Sequence, residues 1–133
     1  MFVSRSTEHA IIGLMWLARN EGKTLKIEEI AEKENLSESY LEKVFQKLSQ
    51  KKLVTPKFGP GGGFVLNKNP KKINILEVME IFQKKQMSQC VNFKQRDCGK
   101  SFCPFRKVVA EAKKITFAFL KEKTIFELIN TNF

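Results

Sequence analysis

The sequence predicts a mainly α fold with one small β-hairpin, followed by a long helix whose apolar side is too extensive for a small domain to bury alone. Three observations lead there. Apolar residues recur at helical spacing in three segments before residue 52, each bounded by turn or capping residues. A glycine cluster at residues 59–63 separates two short β-prone runs, the signature of a hairpin. From Pro104 the helical period returns with apolar residues along one side.

The first helix spans about residues 7–20, with Ala10, Ile11, Leu14, Leu17 and Ala18 on its inner face and Ser6 or Thr7 as its cap. Gly22 ends it, and a short extended piece around Leu25 leads into a second helix at about residues 27–34, with Ile27, Ile30 and Ala31 turned inward. Asn35 and Leu36 make the turn, and Ser37 caps a third helix to about Lys51, with Leu41, Val44, Phe45 and Leu48 on one face. Two helices joined so tightly, with a small Ala31 where they cross, form a helix-turn-helix pattern, which helical hairpins without any DNA role share. Residues 53–58 and 64–66 read as the strands of a hairpin directly behind the third helix, the order of a winged helix. Asn74 with Glu77 forms a capping box for a fourth helix whose Ile75, Val78, Met79 and Phe82 face inward. The helix from Pro104 to about Lys121 carries Phe105, Val108, Val109, Ala112, Thr116, Phe119 and Leu120 along one side, over roughly 27 Å. A second copy of the same helix is the economical cover for it. Thr124 and Glu127 box the start of a last short helix.

At 133 residues the chain fits one domain, or one small domain with an appendage, and can build a core without disulfide staples. Its 24 Lys and Arg outnumber 14 Asp and Glu, for a formal charge of +10. Placement matters more than the total. Residues 43–76 contain no acid, yet hold Lys43, Lys47, Lys51, Lys52, Lys57, Lys68, Lys71 and Lys72. An unmixed run of this kind points to an anionic partner, nucleic acid before membrane, because no apolar stripe accompanies the lysines. Glycines beside Lys57 let backbone amides approach a phosphate or enter a minor groove.

Several readings are excluded. The apolar run at residues 10–18 is preceded by Glu8, lacks a small-residue cleavage site and is about half a membrane span, so the chain is read as cytoplasmic. The glycines of the hairpin have no following Lys-Ser/Thr pair, and Gly99, Lys100 and Ser101 lack the earlier glycine of a phosphate loop. His9 is the single histidine and no acyl-transfer constellation exists, so the chain is not read as an enzyme.

All three cysteines, Cys90, Cys98 and Cys103, fall within residues 90–103, between the basic body and the long helix. An odd number without secretory context argues against a disulfide framework and for a reducing compartment. Thiol or metal chemistry stays open: Lys94, Arg96 and Lys100 in this loop would favour the thiolate form and would offset the charge of an iron-sulfur cluster if the thiolates held one. Zinc is the weaker rival, since no C-x-x-C pair is present.

The segments STEHAIIGLMWLA, IEEIAEKENLSESYLEKVFQKLSQKKLV, FGPGGGFVL and INILEVMEIF, followed by the cysteine loop and a long helix, resemble the IscR/NsrR-type winged-helix transcription regulators, the Rrf-two family. The resemblance implies a winged helix-turn-helix domain plus a long dimerisation helix, acting as a homodimer on a palindromic operator in double-stranded DNA. It divides the chain into a DNA-binding domain (1–85), a cluster-binding loop (86–103) and a dimerisation and C-terminal region (104–133). It places Ser37, Ser39, Tyr40, Glu42 and Lys43 on the recognition helix and Gly59, Pro60, Gly61, Gly62 and Gly63 on the wing, with Lys47 and Lys57 adding charge. Many relatives carry Arg where this chain has Phe58, which puts minor-groove reading by an inserted Arg in question. Three-cysteine relatives hold an iron-sulfur cluster with a further ligand. The biogenesis regulators use a His where this chain has Arg106, whereas the nitric-oxide-sensing branch uses a carboxylate of the other subunit at the position of Glu8, with His9 in reserve. Whether the cluster has two or four irons is left open. The alternative is a cluster-free regulator governed by a protein partner or by thiol oxidation.

Overall fold

The computed structural model describes residues 3–89 and 104–131. Its elements are α1 (Arg5–Arg19), α2 (Ile27–Glu34), α3 (Glu38–Gln50), β1 (Val54–Lys57), β2 (Gly63–Leu66), a 3-10 turn at Pro70–Lys72, α4 (Ile75–Gln89), α5 (Pro104–Glu122) and α6 (Ile125–Asn130). The mainly α architecture with one hairpin is as the sequence predicts.

One core lies where α1, α2, α3 and α4 converge. Ala10, Leu14 and Leu17 of α1 meet Leu41, Phe45 and Leu48 of α3, Ile30 of α2, and Val78 and Met79 of α4, all fully buried. The crossing of α1 and α3 is close because Gly13 has no side chain: a Cβ there would lie 2.7 Å from the Phe45 ring. The i, i+3, i+4, i+7 spacing of Leu41, Val44, Phe45 and Leu48 puts all four on the buried face of α3.

The turn between α2 and α3 is built by a left-handed residue. Asn35 sits at φ 53° and ψ 49°, its N–H reaching the Glu32 carbonyl while the Leu36 N–H reaches that of Ala31 at 2.8 Å. The same device ends α3. Lys52 takes φ 61°, and the Leu53 N–H closes onto the Leu48 carbonyl at 3.0 Å, sending the chain into β1. Strands β1 and β2 pair antiparallel from Val54↔Leu66 to Lys57↔Gly63, and Leu25 is bonded to Phe64 in both directions, which ties the hairpin to the start of α2.

Two starts differ from expectation. Helix α1 begins earlier, capped by Ser4, whose hydroxyl accepts from the Thr7 N–H. Thr7 instead turns into the interior, where it is fully buried. At α4 the Asn74 side chain accepts from the Glu77 N–H at 2.8 Å, but the Glu77 carboxylate turns to Lys68 at 2.9 Å. The box at Thr124 and Glu127 is complete.

Helix α5 has two apolar faces where the sequence suggested one. Val109, Thr116, Phe117 and Leu120 are half-buried, with Phe117 and Leu120 packed against the core. Phe105, Val108, Ala112, Ile115 and Phe119 are exposed, at alternating steps of three and four residues. The split arises because α5 packs on α4 and the core along one side only. After it, an isolated bridge between Asn74 and Thr124 brings α6 back to α1, with Ile125 fully buried.

Candidate nucleic-acid interface and the flanks of the cysteine loop

The N-terminal end of α3 presents hydroxyls. Ser37 caps the helix by accepting from the Tyr40 N–H at 3.4 Å, and its hydroxyl lies 3.2 Å from that of Ser39; both serines are exposed. Glu42, Lys43 and Lys47 follow, all exposed, but on two different sides. Glu42 lines a groove of about 470 Å³ between α3 and the hairpin, together with Lys26, Glu28, Lys57 and Phe58. Lys43 and Lys47 border a second groove of about 320 Å³ with Ser6, Tyr40 and Phe82, and the Lys47 ammonium sits 5.6 Å from the Phe82 ring centre. Tyr40 is half-buried, with its hydroxyl 2.6 Å from that of Ser6, so its polar end is held against α1.

The hairpin tip is tight. The Gly62 N–H donates to the Gly59 carbonyl at 2.9 Å. A Cβ on Gly62 would fall on the Lys57 carbonyl, and one on Gly63 would fall on that of Leu25, so only glycine fits where the wing folds back on its own strand and on the start of α2. Gly59, Pro60 and Gly61 are exposed at the tip, as is Lys57. Lys68 of the acid-free run is drawn away to Glu77.

Glu8 is exposed on the first turn of α1, next to His9. The His9 ring meets the Tyr40 ring edge-on at 5.3 Å, and its Nδ1 is buried without a hydrogen-bond partner. Cys90, Cys98 and Cys103 lie outside the described residues. Among the described residues no group of three or more His, Cys, Asp and Glu is placed to hold a metal, so Glu8 and His9 alone do not make a site. A buried polar knot ties this region to the helix that leads into the cysteine loop. Gln83, 3% exposed at a kink in α4 (φ −139°, ψ 26°), accepts on Oε1 from the Ser4 N–H at 2.8 Å and the Thr7 hydroxyl at 2.7 Å. Sequence reasoning missed Gln83, because a glutamine inside a helical pattern carries no local signal. It also missed Ile115, the most exposed large apolar side chain of α5. Among the described residues no helix is long and apolar enough to cross a membrane.

A helix-turn-helix whose second helix offers hydroxyls and lysines, backed by a glycine-tipped hairpin on an acid-free segment, defines a winged-helix DNA-binding protein. The chain belongs to the Rrf2 family of transcription regulators, whose profile, described as iron-dependent transcriptional regulator, matches residues 3–131. A chain of Aquifex aeolicus named as an HTH-type transcriptional regulator is 34% identical over 98% of this chain and 92% of its own length. The regulator IscR of Escherichia coli is 27% identical over 98% of this chain and 81% of its own. Among solved structures, CymR of B. subtilis, titled the global cysteine regulator, superposes with a TM-score of 0.83 over 99% of both chains at 21% identity. T. potens IscR superposes with a TM-score of 0.80 over 98% of this chain and 87% of that one, at 22% identity. The protein is thus a DNA-binding transcription regulator and not an enzyme.

Proposed function

We propose that the protein is a cytoplasmic, homodimeric regulator that senses redox state, nitric oxide or iron-sulfur status through a cluster held by Cys90, Cys98 and Cys103, with Glu8 of the other subunit as the further ligand. The observation that carries this reading is positional. All three thiols belong to the one segment between α4 and α5, and the turn of α1 that bears Glu8 is bonded to α4 through Gln83. Three thiolates and an exposed carboxylate suit an iron-sulfur cluster with one displaceable ligand. Such a cluster supplies reversible electron transfer and a reactive iron for small diatomic ligands.

In the same reading Ser37, Ser39 and Glu42 face the major groove, Lys43 and Lys47 on the other side of α3 meet its flanking phosphates, and Tyr40 holds α3 to α1. The wing, with Lys57, Gly59, Pro60, Gly61, Gly62 and Gly63, takes the minor groove. The exposed heptad of Phe105, Val108, Ala112, Ile115 and Phe119 pairs with its copy in the second subunit, which sets two recognition helices on a palindrome. Functionally the chain divides at residues 85 and 103, although α6 packs on the DNA-binding body.

Anaerobic purification with iron and sulfide analysis and visible absorption tests the cluster. Stoichiometric iron and sulfide are expected, and Glu8→Ala should shorten cluster lifetime. Colourless, iron-free protein after reconstitution would refute the cluster, and unchanged lifetime in the variant would refute Glu8.

A further inference from the structure

The wing carries one side chain that the fold does not use. Phe58 is 91% exposed, the most exposed large apolar side chain among the described residues. Nothing in the turn requires a ring there: β1 ends at Lys57, and the tip is closed by backbone contacts of Gly59, Gly62 and Gly63. The other exposed aromatics among the described residues, Phe105, Phe119 and Phe126, lie on α5 and α6, so Phe58 joins no apolar seam among the described residues. It stands instead beside Lys57 in the acid-free segment, at the edge of the groove that also holds Glu42 of the recognition helix.

A bulky apolar group beside a cation, on a narrow backbone tip, matches a partner that is anionic outside and apolar within. Duplex DNA has that construction, with phosphates flanking a stack of base faces. A phenyl ring has no donor or acceptor with which to read base edges, but it can wedge between two bases. We propose that Phe58 is such a wedge: it enters the minor groove at the wing's contact and partly unstacks one base step, so that the wing selects sites by deformability. This inference rests on the wing's DNA contact in the preceding reading. Flexible pyrimidine–purine steps are the preferred targets, because they unstack at least cost.

The test uses the full-length protein and a duplex selected by it from a random-sequence pool. 2-Aminopurine is placed at successive positions under the wing, with dyes at both ends to report bending. Binding of the unaltered protein should raise 2-aminopurine fluorescence several-fold at one step and bend the duplex by about 20–90°. Phe58→Ala should abolish both signals, Phe58→Leu should restore them in part, and Phe58→Arg should bind without unstacking. Bound duplex with unchanged fluorescence, or a signal that persists in Phe58→Ala, would overturn the wedge. A change in the sedimentation of the DNA-free protein on Phe58→Ala would also overturn it, by assigning the ring to a protein contact. Failure of a gel shift to show any retained duplex would overturn the wing reading itself, and the wedge with it.

Discussion

The buried knot of Ser4, Thr7 and Gln83 makes an asymmetric prediction. Gln83→Met keeps the length and burial of the side chain but removes the oxygen shared by the Ser4 N–H and the Thr7 hydroxyl. The hydroxyl retains a partner, since it lies 2.9 Å from Ser4 Oγ, whereas the Ser4 amide is left without its acceptor. One net hydrogen bond at about 0.5–1.5 kcal/mol and one stranded donor at about 1–3 kcal/mol together give a loss of about 1.5–4.5 kcal/mol. Thr7→Val removes a donor instead, and the Gln83 oxygen keeps the Ser4 N–H, so its cost is about 1 kcal/mol. The middles of these ranges differ by about 2 kcal/mol, so at roughly 3–5 °C per kcal/mol for a chain of this size the two variants should melt about 6–10 °C apart, with Gln83→Met the lower. Thermal and urea unfolding at one fixed protein concentration checks this, and the double variant should cost less than the sum of the singles. A Thr7→Val loss equal to that of Gln83→Met, or a Gln83→Met protein as stable as the parent, would refute the assignment of Gln83 as the shared acceptor.

Three further outcomes follow from other parts of the molecule. Ile115→Glu puts a charge at the centre of the exposed heptad of α5, and sedimentation equilibrium should show monomer where the proposed dimer is expected of the parent protein; an unchanged mass would remove α5 as the seam. Lys57→Ala should weaken DNA binding on all sequences alike and reduce the slope of log affinity against log salt by about one per wing, whereas an unchanged slope would take Lys57 off the phosphates. Gly63→Ala drives a methyl onto the Leu25 carbonyl, and a stability loss of about 1–3 kcal/mol is expected by urea titration; a neutral result would mean that the wing is not clamped to the start of α2.

The sequence made legible what local chemistry decides. Helix α2 and the Ser37 cap fall where the sequence puts them, because a left-handed Asn35 followed by a half-buried leucine and a capping serine is a self-contained instruction. The start of α1 was not legible in the same way. Three hydroxyls compete in residues 4–7, and Ser4 becomes the cap because Thr7 is drawn inward by Gln83, a partner far along the chain. For α5 the period reported apolar residues but not their division, since only one side packs on α4 and the core, which the tertiary arrangement decides. The candidate interface shows the same limit. Lys43, Lys47 and Lys57 were visible as charge, but that Lys68 is spent on Glu77, and that the Tyr40 hydroxyl faces Ser6, are decided by packing.

That packing gives α1 a position between the two ends of the proposed function. Its first turn bears Glu8, and the residues on either side of Glu8 are already committed: Ser6 is bonded to Tyr40 of the recognition helix, Thr7 to Gln83 of α4, and the His9 ring rests on Tyr40. A ligand that gains or loses Glu8 therefore acts on a turn that cannot shift as a unit without stretching the contact to α3, the contact to α4, or both. Contacts of 2.6 and 2.7 Å leave little slack. The kink at Gln83 lies between the packed Val78 and Met79 and the buried Met87, so the knot and the core hold the last turns of α4 together. Coupling in a domain this small needs no long chain of residues. In the proposed reading, one turn of helix bonded on one side to α3 and on the other to α4, the helix that precedes the cysteine-bearing segment, would couple ligation of Glu8 to the recognition helix.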